Sequence, residues 1–437
     1  MDQRVMTRHD VVDTPRPALG AAELRRICLD AGADDAGVVS FDRPELDADR
    51  EDILACAPWT RGLLAFVCRM NRAPLQSPAR SVANLEFHDR GDFVNEVART
   101  VVSALEALGI RALNPAVGFP MEMQRFPGKT WIVSHKSVAV AAGLGQMGIH
   151  RNLIHPKFGN FVLLGTVLID QEVSEEGRPI DYNPCLECKL CVAACPVGAI
   201  GATGRFDFNA CYTHNYREFM GGFSDWIEQV ADSRNRNDYR RRFTDDESAS
   251  MWASLSFGAN YKAAYCMAVC PAGEDVLAPW LADKKRYVNE TVRPLQRKAE
   301  KVYVIPGSDA AEHVKKRFPA KTSRYVRGNL HAKSIESFLR FMDLQFNPGQ
   351  AHGLDATYHF VFTGAESRKA TVRIADGRLE VCDGLHGRAN LRVTADAGTW
   401  LAFLARERSL AWALISMRIR LRGSPMWLVK FGRCFPS

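Results

Sequence analysis

Cys185-Leu-Glu-Cys188-Lys-Leu-Cys191-Val-Ala-Ala-Cys195-Pro196 is the stretch that decides how the rest of the chain reads. Its spacing is C-x2-C-x2-C-x3-C-P. Three thiolates this close wrap one corner of a cubane iron–sulfur cluster, and the fourth, turned away before the proline, serves the other cluster of a two-cluster ferredoxin. Zinc sites rarely carry this triple spacing with a terminal Cys-Pro. Downstream lie Cys211 and Cys266-Met-Ala-Val-Cys270-Pro271, a C-x3-C-P run. The pairing rule gives Cys270 to a 4Fe–4S cluster with Cys185, Cys188 and Cys191, and leaves Cys195, Cys211 and Cys266 for a second. A complete second motif would want a cysteine at 263, where the chain has Ala263. The second cluster is expected as 3Fe–4S, or as 4Fe–4S with water, His214 or another group on the open iron. Assembly of one cluster only is the alternative.

Working outward, seven of the 12 cysteines fall in this segment, and Cys28, Cys56, Cys68, Cys382 and Cys434 are scattered. Such clustering in a reducing compartment reads as metal ligands rather than a disulfide framework. The chain has 437 residues, 46% hydrophobic and 24% charged, which excludes disorder and fibrous repeats and implies about three domains. The longest apolar run, Phe161–Ile169, is far short of the roughly 18 residues of a membrane helix. The charged first ten residues are no secretory signal, so a cytoplasmic location is expected. The formal charge of +7 is local. Lys284–Arg327 carries thirteen Lys/Arg against Glu290, Glu300, Asp309 and Glu312, on a slightly acidic body.

Before the cysteines, helical and strand-like patterns alternate. Ala21–Ala31 and Phe93–Leu108 have helical spacing, and Asp35–Ser40, Leu63–Cys68 and Phe161–Ile169 read as buried strands. The expected division is an α/β domain with a covered sheet over 1–182 and a bicluster ferredoxin domain over 183–283 with an insertion at 212–262. A basic surface linker follows over 284–334, then an α+β domain over 335–437. In the last, Tyr358, Phe360 and Phe362 alternate, and Asp376-Gly377 makes a hairpin turn.

Gly143-Leu-Gly145-Gln-Met147-Gly148 fits G-x-G-x-x-G, with Asp170 at a later strand end, and so imitates a dinucleotide fingerprint. Pro156 and Gly159 leave no room for the helix whose N-terminus would hold a pyrophosphate. The firmer inference is a close approach of backbone to something large and flat, or to another backbone.

His135-Lys136 through Gly148, with Asn152-Leu-Ile154, Phe158-Gly159, Leu163–Asp170 and Cys185–Pro196, resembles the corrinoid iron–sulfur reductases, a group comprising epoxyqueuosine reductases and reductive dehalogenases. The resemblance covers roughly 20–280. It implies a nitroreductase-like cobalamin-binding domain beside a ferredoxin domain that feeds electrons to cobalt, the cofactor contacts falling on Gly143, Gly145, Met147, Gly148, His150 and Asn152. Two departures stand out. The epoxyqueuosine reductases carry an aspartate just before the segment leading into the glycine loop, where this chain has Ser134-His135-Lys136, and the second cysteine motif is incomplete. His135 and Lys136 are the titratable candidates for proton delivery.

Phe346-Asn-Pro-Gly349, Tyr358–Gly364, Thr371–Gly377, Leu391–Asp396 and Arg420-Leu-Arg-Gly423 resemble a sterol carrier protein type 2 domain, which implies an apolar tunnel for an acyl ligand. The reading as a whole is an iron–sulfur, cobalamin-dependent reductase that takes electrons from a ferredoxin or flavodoxin and cleaves a carbon–heteroatom bond in an apolar substrate. The alternative is an electron-transfer and lipid-binding protein without corrinoid chemistry. Nucleic acid is not the expected partner of the basic stretch, because a charge run is more often a solvated or docking surface.

Overall fold

The structure, a computed structural model, describes residues 19–437 apart from 120, 183, 184, 186, 187, 329 and the side chain of Asp275. Its first sheet has four strands in the order Asp35–Ser40, Gly62–Arg69, Val162–Ile169, Ala112–Leu113, each pair antiparallel. Every residue of the central strand up to Cys68 is buried, as a strand covered on both faces must be. One face packs Leu64, Phe66 and Val167 against the helices Ala21–Asp30 and Arg80–Ala107. The other packs Leu63, Ala65 and Val67 against Asp47–Cys56 and His135–Ala141. The spacing expected a helix from Phe93. It starts instead at Arg80, because the polar first turns are held by buried Asn84, whose amide donates to Tyr261 O, and Glu86, which accepts from Asn71 N.

The cysteine segment packs into a core of small residues: Ala194, Val197, Ala199, Ala210, Ala263 and Ala268 among them. The same core includes Val292, Leu295, Val302, Val304, Ala310 and Val314. Residues 284–334 are therefore not the surface linker expected from their charge. Lys301–Val304 pairs in parallel with Thr322–Tyr325 across the helix Asp309–Arg317, a βαβ unit whose apolar side closes the cysteine core. Much of its charge is spent internally. Lys321 is wholly buried, donating to Leu295 O, Lys298 O and Glu300 at 2.8, 3.1 and 2.6 Å. Arg324 pairs with Glu247 and Lys301 with Asp246, both at the start of the insertion helix Asp245–Phe257. The positive stretch is thus the counterpart of acids on the insertion. The insertion itself is built of three helices, Gly221–Ala231, Arg236–Arg242 and Asp245–Phe257.

The C-terminal unit is a five-stranded sheet in the order Arg378–Asp383, Arg368–Ala375, Ala356–Thr363, Leu391–Asp396, Ile419–Arg422, with one parallel pair at its centre. Asp376 and Gly377, at φ 52° and 68°, turn the hairpin of Arg368–Ala375 and Arg378–Asp383 in the left-handed region that a two-residue turn requires. Helices Ile335–Gln345, Ala397–Leu404, Leu410–Ile415 and Met426–Arg433 pack on the sheet around Trp400 and a file of phenylalanines. Helix Ile335–Gln345 also meets Phe208–Asn215, the helix that carries Cys211. Among the described residues no helix is long and apolar enough to cross a membrane.

Candidate iron–sulfur and cofactor site

Local chain geometry aims the cysteines. Lys189, in the left-handed region at φ 55°, turns the backbone from Cys188 into the short helix Leu190–Ala194, which presents Cys191. After Cys195-Pro196 the chain wraps back, and Ala199 N donates to the Cys195 sulfur at 3.3 Å. Further amides, at Val197, Gly198 and Ile200, face the same buried sulfur. Amides directed at a cluster sulfur stabilise its negative charge and tune its potential.

The cysteines fall into two groups. Cys270 lies where it feels Cys188, Cys191 and Cys185. Cys211 feels Cys195 and Cys266, and Cys266 in turn feels Cys195. The groups abut, since Cys191 is also coupled to Cys266. Burial pushes the Cys191 and Cys266 thiols up to about 12, and Cys211 well above its ordinary value. Sulfurs so placed ionise by binding metal, so assembly releases protons and stabilises the fold together. Among the described residues no three ligand side chains converge as tightly as a single ion needs. That suits a cubane, which holds its thiolates on the corners of a wider body. The donor chemistry and grouping fit two clusters.

Ala263 occupies its place beside the second group in a tied-down loop. Asn215 Oδ1 accepts from Ala263 N and Ala264 N, both at 3.0 Å, and Ala263 is buried. His214 Nδ1 accepts from Tyr303 N at 3.3 Å, and burial holds its pKa at about 4, with Glu300 and three lysines, rather than cysteines, as its charged neighbours. Its Nε2 is buried without a hydrogen-bond partner among the described residues. Tyr216 was not singled out from the sequence, yet it is coupled to Cys211 and Cys266. Its ring joins a wall with Tyr212, Phe219 and Tyr261. The available signal was Tyr212 and Tyr216, one helical turn apart on the helix that carries Cys211.

The glycine loop is not a dinucleotide fingerprint. The apolar run before it is the helix His135–Ala141, and a two-residue strand follows. A fingerprint needs the reverse order. Each glycine is required by protein: a Cβ on Gly143 would meet Arg178 O at 2.6 Å, on Gly145 Ile154 O at 2.4 Å, and on Gly148 the His150 ring at 2.6 Å. The Cβ side of these three glycines is thus taken by backbone and a histidine ring, which accounts for glycine at each position without a cofactor. Asp170 spends a carboxylate oxygen on Arg111 N.

His135 is also reassigned. Its Nδ1 lies 2.9 Å from Thr166 Oγ1 and its Nε2 3.1 Å from Ala116 O, and burial lowers its pKa. A neutral imidazole bonded at both nitrogens anchors the helix start on the sheet and has no proton to deliver. Lys136 differs. It is exposed, its ammonium donates to Arg151 O at 2.8 Å and Asn152 Oδ1 at 3.1 Å, and burial lowers its pKa while Cys266 and Cys211 act in the opposite sense. Exposed Met147 is on the adjoining hairpin. His150 is buried, its Nδ1 accepting from Asn152 N, its Nε2 without a hydrogen-bond partner among the described residues, and its pKa near 4 through burial and Lys136. Lys136, His150 and Asn152 are thus linked by direct contacts, and the Cys211 and Cys266 sulfurs act on the lysine's charge.

Residues 178–201 match the family model described as a 4Fe-4S binding domain. An epoxyqueuosine reductase of Cellulophaga algicola is 30% identical over 102 residues, 22% of this chain and 33% of that protein. The chain spans between a fifth and a half of the length of such curated relatives. Among solved structures, a catabolic reductive dehalogenase aligns with 67% of this chain and 37% of its own, at 14% identity and TM-score 0.38. Sterol Carrier Protein 2 Like 2 from Aedes aegypti aligns with 22% of this chain and 92% of its own, at 14% identity and TM-score 0.18. The chain is thus an iron–sulfur protein in its middle, with relatives among the epoxyqueuosine reductases.

Proposed function

We propose that the protein is an iron–sulfur oxidoreductase whose two clusters pass electrons from a small donor, ferredoxin or flavodoxin, to a corrinoid beside Lys136. The observation that carries the reading is the juxtaposition of two abutting thiol groups with an accessible lysine coupled to Cys211 and Cys266. Similarity to the epoxyqueuosine reductases supports the class of reaction. The corrinoid would supply a reducing, nucleophilic metal for cleavage of a carbon–heteroatom bond. Met147, His150 and Asn152 would hold it, and the aromatic wall of Tyr212, Tyr216 and Tyr261 would exclude water beside the second cluster. Lys136 is the group that holds a proton at the site. We divide the chain at 1–182, 183–334 and 335–437, the second unit combining the ferredoxin segment with the βαβ that closes it.

In the C-terminal unit the proposal is an apolar or acyl ligand. The aromatic file fills most of the core, but Tyr358 Oη and Trp400 Nε1 are buried there without hydrogen-bond partners among the described residues. Apart from these, an open groove of about 420 Å³ lies between Leu339, Leu379 and Val381 and the charged Arg340, Asp343, Arg368 and Asp383, a lining that suits a polar group better than an acyl chain. Turnover tests the site. Lys136→Ala should lower it at least tenfold with corrinoid content unchanged, as loss of a general acid does, and unchanged turnover would remove Lys136 from the reaction. His135→Gln should act on stability instead.

A further inference from the structure

The C-terminal unit carries an apolar tip that packs against nothing. Helix Leu410–Ile415 buries Ala413 and turns Trp412 and Ile415, neighbours at i and i+3, outward. Ile415 is 83% exposed and Met417, two residues on, 70% exposed. Met417 holds φ 57°, a left-handed conformation that side-chain-bearing residues rarely adopt, and here it places a thioether in water.

The charge around the tip has one sign. Residues 408–437 include Arg408, Arg418, Arg420, Arg422, Lys430 and Arg433 and contain no aspartate or glutamate. Arg408 lies over the Trp412 ring at 4.9 Å. Arg420 and Arg422 point outward from the sheet's edge strand, alternating with Ile419 and Leu421 on its inner side. Arg418 reaches Asp396 only at 4.0 Å.

We propose that this tip inserts into the interface of an anionic lipid bilayer, Trp412, Ile415 and Met417 entering the acyl boundary and the arginines lying against headgroup phosphates. The combination selects the partner. A nucleic acid or an acidic protein would answer the arginines and leave Ile415 and Met417 in water, whereas a bilayer interface takes both. The site is independent of the reductase reading.

The test is flotation of the full-length chain with vesicles of phosphatidylcholine alone, or with about one third phosphatidylglycerol. Binding to the anionic vesicles only is expected, falling as salt rises. The double variant I415D/M417D, altered only at exposed positions, should melt like the parent and lose roughly tenfold or more in bound fraction. R420Q/R422Q should lose roughly tenfold on anionic vesicles. Equal binding to both vesicle types, undiminished binding by I415D/M417D, absence of binding, or self-association through the tip in its place would each overturn the proposal.

Discussion

In the cysteine-bearing middle, the cluster that holds the thiols is assembled mostly from alanines and valines with Leu190, Ile200 and Leu295, and Tyr265 is the one ring among its described buried members, buried Tyr212, Phe243, Tyr303 and Phe318 lying outside it. In the C-terminal unit the core is assembled from Phe338, Phe346, Tyr358, Phe360, Phe362, Trp400 and Phe431. Aromatic side chains bury so much surface that the second core is stable through packing alone. Alanines and valines bury little, and the thiols among them are buried donors waiting for metal. The difference teaches where each unit draws its stability: one from rings against rings, the other from clusters that fill the space small residues leave.

Removal of iron should separate the two regions most. Chelation under reducing conditions is expected to abolish hydrogen-exchange protection across 188–325 while leaving 335–437 protected. Equal loss in both would break the comparison. Next in size, Trp400→Ala should cost about 3–5 kcal/mol of C-terminal stability with iron content unchanged, because a buried ring leaves a cavity. A fall in iron would show the cores to be one. Lys321→Met should cost about 1–3 kcal/mol in the middle unit, since Glu300 loses its buried cation and keeps Lys298 at 3.0 Å and Tyr265. A double variant, Lys321→Met with Glu300→Gln, should recover part of it.

Acid sharpens the contrast with the smallest effect. His214 is held neutral to about 4, below the ordinary imidazole value, so the middle loses stability as pH falls from roughly 6.5 through 4. Burial opposes ionisation of Glu300, but Lys321 overrides it and lowers its pKa, so that carboxylate's contribution is present above the ordinary carboxylate range and lost below it. In the C-terminal unit the counterpart is Asp396, whose carboxylate is held below its ordinary value by Thr399, so its contribution is lost only below the ordinary carboxylate range. Near-ultraviolet dichroism against pH, with His214→Gln as control, measures the shift. A C-terminal melt that tracks the middle would contradict it.

Much of the architecture was legible because local patterns agreed with tertiary burial. Asp35–Ser40 is a strand with the bounds its apolar run implied, and Asp376-Gly377 turns a hairpin as its residue types require. The grouping of Cys270 with Cys185, Cys188 and Cys191 follows from spacing, since a short C-x2-C-x2-C run can wrap only one cluster corner. Other features depended on contacts far along the chain. The glycine pattern matched a fingerprint, yet its glycines answer Arg178 and Ile154, which no local motif reveals. The basic stretch read as a linker because its acids are partly elsewhere, at Asp246 and Glu247. His135 looked reactive and is bonded to Ala116 and Thr166, both distant in sequence.

The most direct test of the two-cluster, corrinoid-binding account is iron and sulfide counted on the reconstituted chain, with its spectrum recorded after cobalamin addition and desalting. The account predicts about seven or eight irons per chain, seven if the group of Cys195, Cys211 and Cys266 holds a three-iron cluster, and retained corrinoid bands. About four irons with no corrinoid retained would contradict it.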